Sequence, residues 1–147
     1  MPEALFNLPE ADRRTLLDIG PRWAQDVQGH REVVFAAYAP LLARAPKGDN
    51  QVKRDLAYGP HPRQVLDVYR PARAEGLPVV LFVHGGAFVR GEKDSTPEIY
   101  ANVCHYFARH GHVALNVEYR LADAAPYPGG AQDIAASVAW ARAHARE

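Results

Sequence analysis

The sequence predicts an α/β fold: a predominantly parallel sheet with flanking helices and antiparallel edge strands, preceded by N-terminal helices. Three observations carry this. LPVVLFVH (77–84) is apolar without alternation, as expected of a strand covered on both faces. HVALNVEYR (112–120) reads as a second strand of the same layer. A stretch of helical spacing follows each, so strand and helix alternate at intervals of roughly 25–35 residues, the pattern of βαβ units.

From the N-terminus, 9–19 places Leu16 and Leu17 behind an acidic first turn. Arg22 to Arg44 puts Trp23, Val27, Val33, Val34, Tyr38, Leu41 and Leu42 at helical spacing, with Gly29 a candidate break. APKGDN (45–50) is a turn-rich linker. Residues 1–50 are therefore a helical N-terminal segment, and 51–147 the sheet-bearing core. QVKRDLAYG (51–59) and QVLDVYRP (64–71) are short and alternating, joined by PHPR, and predict paired edge strands. In 96–111, Ile99, Val103, Phe107 and Ala108 share one face and Gly111 ends the helix, with Ser95 as its expected N-cap. LADAAPYPGG (121–130) is a loop, and 131–147 an alanine-rich helix.

The chain has 147 residues, the size of one ordinary domain, with 48% hydrophobic and 23% charged residues. Lys+Arg and Asp+Glu both total 17, a balance that offers nothing to nucleic acid or an anionic membrane surface. No apolar run approaches the ~18 residues that span a bilayer. The start, MPEALFNLPEADRR, lacks the basic-then-apolar pattern of a secretory signal. A single cysteine, Cys104, suits a reducing compartment, so a cytoplasmic location is expected.

The chemistry-bearing stretch is HGGAF (84–88). Two glycines at the end of a central strand leave backbone N–H groups uncovered, able to bind a phosphate or a developing oxyanion. Gly85, Gly86 and Gly91 match neither GxGxxG nor GxxxxGK[ST], which weighs against a nucleotide. A tight strand-to-helix turn without a ligand stays open on the glycines alone.

VVLFVHGGAF, followed about 30 residues later by NVEYRLADAAPYPGGAQDIAASVAW, resembles the α/β-hydrolase fold, and within it the carboxylesterases of the hormone-sensitive-lipase type and the arylformamidase-like esterases. The resemblance covers roughly 51–145 and corresponds to the N-terminal half of that fold. It implies an oxyanion hole from the backbone N–H groups of Gly86 and Ala87, with Gly85 allowing the turn. Ala87 stands where the family often has a third glycine. His84, Tyr119, Arg120 and Asp133 are implied to be structural residues near the site, and Phe88 to line the substrate pocket. The helices in 1–50 are implied to pack near the active-site mouth. No metal or organic cofactor is implied, and the substrate would be a small-molecule ester; an arylformamidase-like amide hydrolase is the close alternative.

The nucleophile of this family sits in Gly-x-Ser-x-Gly. The two serines, Ser95 and Ser137, lack flanking glycines at those offsets, and Cys104 falls mid-helix among apolar neighbours. The cluster Cys104, His105, His110, His112 has no zinc spacing. The chain is thus expected to be inactive alone. The Ser-Asp-His triad would come from a second polypeptide or the remaining C-terminal half of the same protein. An inactive remnant serving as a binding domain, with its sheet edge paired in a homo-oligomer, is the competing expectation.

Overall fold

A computed structural model describes residues 8–73 and 75–146. The segment read as lacking a secretory signal begins in residues 1–7, outside the described residues, as does Glu147 at the end of the expected last helix. The chain divides into two compact units, one up to Pro46 and one from Lys47 onward.

In the first unit, helix α1 spans Glu10–Ile19, with Glu10 and Asp12 in the first turn, where the helix dipole favours negative charge. Arg14 pairs with Glu10 and Arg22 with Asp18, four residues apart. The stretch expected as one helix from Arg22 is instead a 3-10 segment, Gly20–Gln25, followed by α2, Val27–Arg44. The boundary is set at Asp26, whose carboxylate accepts the Gly29 N–H at 2.9 Å. Gly29 therefore serves the first turn of α2 rather than breaking it. Pro40 lies inside α2 and costs it one hydrogen bond.

The second unit is built on four strands, β1 (Gln51–Ala57), β2 (Val65–Arg70), β3 (Val79–Val83) and β4 (Val113–Val117), in the order β1-β2-β4-β3. The sheet is mixed. β1/β2 and β2/β4 are antiparallel, and the parallel portion is the single pair β3/β4, in register from Val79↔Val113 to Val83↔Val117. The expected antiparallel edge is present; the parallel core is narrower than expected because β4 pairs directly with the hairpin strand β2. β1 carries a bulge between Lys53 and Leu56, where Asp55 takes φ 54° and donates its N–H to Asp67 Oδ1 at 2.9 Å.

Side chains alternate across the sheet and each face meets one helix. Leu66, Leu115 and Val117 pack beneath Ile134, Trp140 and Ala141 of α4 (Gly129–Ala143). Tyr69 and Ala114 pack beneath Ala101, Cys104 and Ala108 of α3 (Ala101–Arg109). Burying each of the large aliphatic residues contributes about 1.5–3 kcal/mol.

α3 starts later than expected, because residues 96–100 form a turn in which Thr96 Oγ1 accepts the N–H groups of Glu98 and Ile99 at 3.3 and 3.0 Å. Ser95 precedes that turn and does not cap the helix; Thr96 caps the turn. β3 also differs from expectation: Val79 and Val83 are 48% and 38% exposed, because among the described residues β3 pairs only with β4 and its other edge is open. A groove of roughly 660 Å³ runs along the α4 face, lined by Lys53, Val68, Val79, Leu115 and Trp140.

Candidate active site

Parallel strands deliver their C-terminal ends to one edge of a sheet, where an α/β fold places its ligands. Here β3 ends at Val83 and β4 at Val117, so the segments 84–91 and 118–121 leave the sheet side by side.

The first segment turns sharply. Gly86, Ala87 and Phe88 take φ of 136°, 54° and 63°, and Gly91 takes 104°. A Cβ on Gly86 would lie 1.8 Å from the Arg90 carbonyl oxygen; one on Gly91 would lie 2.4 Å from the Gly85 oxygen. Only glycine fits at these two positions. Gly85, expected to allow the turn, has no such demand: its φ is outside the left-handed region and a Cβ there would meet nothing within 4 Å. The Gly86 carbonyl accepts the N–H groups of Val89 and Arg90, both at 3.1 Å. Among the described residues, the N–H groups of Gly86, Ala87 and Phe88 donate to no acceptor. Successive free N–H groups on a chain of positive φ form a concavity suited to an anion.

His84 is buried beneath this turn. Its ring stacks on Tyr119 at 4.4 Å, its Nε2 lies 2.8 Å from Glu118 Oε1 and its Nδ1 2.9 Å from the Gly85 oxygen. The Tyr119 hydroxyl donates to the His84 carbonyl at 3.2 Å. Phe88 is 61% exposed, meets the Tyr119 ring at 5.9 Å and lies so close to Gly130 that a Cβ there would come within 3.1 Å of it. The Phe88 carbonyl accepts the Ala122 N–H at 2.8 Å, joining the turn to the loop that leads into α4.

Arg120 and Asp133 form the second constellation. Asp133 Oδ2 accepts the Arg120 N–H at 2.9 Å, while Arg120 Nε and Nη2 grip the carboxylate at 3.0 and 2.6 Å. Gln64 Nε2 adds a bond of 2.8 Å from the β1–β2 turn. Burial works against the Asp133 carboxylate, but these bonds outweigh it and hold its pKa below the ordinary value.

Sequence reading missed three groups. Glu118 gathers donors from four segments, and its presence in NVEYR was the available signal, an acidic residue following directly on a buried apolar strand. Lys93 is buried and donates to Asp67 and Asp94 at 3.1 and 2.8 Å, with Asp55 Oδ1 at 3.0 Å. Burial alone would lower the Lys93 pKa; the three carboxylates reverse this and raise it. Arg63 also converges here, though nothing in PHPR marks it.

The nucleophile candidates of this chain lie elsewhere. Ser137 is buried within α4 and donates its hydroxyl to the Ile134 carbonyl at 2.8 Å. Cys104 is buried on the sheet-facing side of α3, and burial pushes its thiol up to about 12, so almost no thiolate exists at neutral pH. No helix among the described residues is long and apolar enough to cross a membrane.

Three comparisons bear on this geometry. The esterase LipC of Mycobacterium tuberculosis is 37% identical over 94 residues, which are 63% of this chain and 23% of LipC. The isoprenylcysteine alpha-carbonyl methylesterase ICME of Arabidopsis thaliana is 38% identical over 85 residues, 52% of this chain and 19% of that protein. Among solved structures, esterase B from Lactobacillus Rhamnosis superposes with a TM-score of 0.56 at 25% identity, covering 90% of this chain and 40% of that one. The chain thus spans about a quarter of the length of the curated relatives it matches. Residues 66–147, more than half of the sequence, match the family described as BD-FAE, and the chain belongs to that family, on the α/β-hydrolase fold of the carboxylesterases.

Proposed function

We propose that this chain supplies the oxyanion-hole part of a serine-dependent carboxylic ester hydrolase. The observation that carries the reading is the turn at 86–88, where consecutive backbone N–H groups stand without acceptors at the C-terminal end of β3. In the complete enzyme, a serine Oγ attacks the acyl carbonyl while a histidine takes its proton. The Gly86 and Ala87 N–H groups donate to the oxygen as it gains negative charge, each donor being worth roughly 10²–10³ in rate. Collapse of the tetrahedral intermediate expels the alcohol, and water then releases the acid. The exposed Phe88 ring, beside these donors, offers an apolar wall for the acyl or aryl group of a small ester.

The serine, its histidine and the acid come from polypeptide outside this chain, either a second chain or further residues of the same protein. Supporting this, the matched regions are 23% and 19% of the two curated relatives and 40% of the solved esterase, and Ser137 and Cys104 are buried and engaged in structure. An open β3 edge gives such polypeptide a strand to pair with.

The test is a fluorophosphonate probe applied to the chain alone and to the protein completed by its additional residues, with turnover of aryl butyrate and N-formylaniline in parallel. Labelling and ester turnover are expected for the completed protein only. Labelling of a residue of this chain would overturn the assignment of the nucleophile elsewhere. Absence of labelling and turnover in the completed, folded protein would overturn the hydrolase and leave a binding domain. Turnover of the formanilide in preference to the ester would move the activity to amide hydrolysis.

A further inference from the structure

The anion-binding turn is held from below by one carboxylate. Glu118 Oε1 takes three N–H donors: Arg63 Nη2 at 2.6 Å, His84 Nε2 at 2.8 Å and the Tyr119 backbone at 3.0 Å. Its Oε2 takes the Lys93 backbone N–H at 2.9 Å. His84 opens the turn and Lys93 follows it, so a single side chain grips both ends of the segment whose middle carries the free N–H groups. Arg63 reinforces the grip from the β1–β2 turn, donating Nη2 to the Gly91 carbonyl at 2.7 Å and Nε to the Tyr119 carbonyl at 2.9 Å.

We propose that Glu118 is the positioning residue of the oxyanion turn, clamping its two ends so that the Gly86 and Ala87 donors stay fixed and unpaired before substrate arrives. The proposal rests on the reading of that turn as an oxyanion hole. Donors stabilise a developing charge without reorganisation only if they are already in place, and unpaired N–H groups on a loose loop would rotate toward solvent or neighbouring carbonyls. Glu118 suits the task chemically. Burial opposes its ionisation, but the bonds from His84 and from the Lys93 and Tyr119 N–H groups prevail and hold its pKa below the ordinary carboxylate value. An ionised carboxylate is acceptor-only, matching four donors with no conflict, and it requires the His84 hydrogen on Nε2. Glutamine cannot do the same: with its oxygen toward Arg63, His84 and Tyr119, its amide N–H groups face the Lys93 N–H.

The experiment is backbone 15N relaxation on the full chain, comparing Glu118→Gln with Tyr58→Phe. Tyr58 donates its hydroxyl to the Glu118 carbonyl at 2.6 Å and so perturbs the same strand end without touching the carboxylate. The expected result is that order parameters at Gly86, Ala87 and Phe88 fall from about 0.85 to below ~0.6 in Glu118→Gln, while Leu66 and Leu115 stay rigid and Tyr58→Phe leaves the turn rigid. A turn that stays rigid in Glu118→Gln, or loosens equally in Tyr58→Phe, overturns the proposal. If Glu118→Gln does not fold, the side-chain 15N shifts of His84 in the unmodified chain decide: a hydrogen on Nε2 at pH 7 supports the clamp, and a bare Nε2 refutes it. Loop order is read without substrate, so a rigid, Glu118-dependent turn in a completed protein that hydrolyses nothing would refute the hydrolase and not the clamp.

Discussion

Replacing Gly86 by alanine strikes the turn where space and backbone angle both forbid a side chain. The added Cβ would sit 1.8 Å from the Arg90 oxygen and 2.6 Å from its carbon, both backbone atoms that cannot swing aside. The residue would also have to hold φ near 136°, a conformation costing about 1–3 kcal/mol for a residue with a Cβ. Relieving the overlap means pulling 86 away from 90, which breaks the bonds from Val89 and Arg90 to the Gly86 carbonyl, each worth about 0.5–1.5 kcal/mol. Because the turn is exposed and can open locally, the net loss is about 2–4 kcal/mol. With a urea slope of about 2 kcal/mol/M, the middle of the usual range, the unfolding midpoint should fall by ~1–2 M. Gly85→Ala is the internal control; it meets no neighbour and should cost about 0.5 kcal/mol or less. Equal midpoints for the parent and Gly86→Ala, or equal losses at 85 and 86, would refute the geometry on which the site is argued.

Other expectations follow from the same chain. Ala87→Gly relieves a left-handed φ of 54°, worth about 1–2 kcal/mol, against about 0.5–1 kcal/mol of added chain entropy, so its midpoint should equal or exceed the parent's. Native Cys104 should resist an aromatic disulfide reagent at pH 8 and react at once in denaturant, since its thiol is pushed up to about 12; rapid native reaction would contradict its burial. Stability should fall on acidification in two stages. Burial, with Lys47, Arg54 and Arg109 nearby, lowers the His105 pKa, so below its ordinary 6.5 the unfolded chain takes up a proton that the folded chain resists, and stability begins to drop. Glu118 and Asp133, both lowered, contribute fully above 4.5 and 3.8 and lose that contribution as pH falls through their folded values. Urea midpoints from pH 7.5 to 3.5 test this, and His105→Gln should remove the first stage alone.

Much of the architecture was legible because it rests on local pattern. The unbroken apolar run in 77–84 marks β3, the strand-like stretch 112–120 marks β4, and the alternation in 51–71 marks the hairpin. Element ends were less legible, since they depend on single bonds. Asp26 accepting from Gly29 moved the start of α2, and Thr96 drew 96–100 into a turn ahead of α3. The open edge of β3 was expected from the missing nucleophile strand, but the exposure of Val79 and Val83 could not be read from composition, which is the same whether or not a neighbour is present. At the site, the glycines announced a turn, but which of them the backbone requires is decided by Arg90 and His84 folding back on Gly86 and Gly91. Arg63 was invisible for a related reason, and Glu118 was marked only by its place after β4: Arg63 reaches Gly91 and Glu118 across 28 and 55 residues of sequence, and no local rule links such positions.

The bulge in β1 gives the sheet two unlike sides. At one side, Arg54 and Asp55 are turned out of the ladder, Asp55 toward Lys93 and Arg54 toward Asp67, so the outermost strand presents a kinked, charged rim. At the other, β3 offers five residues without proline or charge. Strand addition to this unit is therefore favoured at the β3 side. A strand paired with β3 occupies the smoother of the two edges, and two copies meeting there would leave only their bulged, charged β1 rims outward.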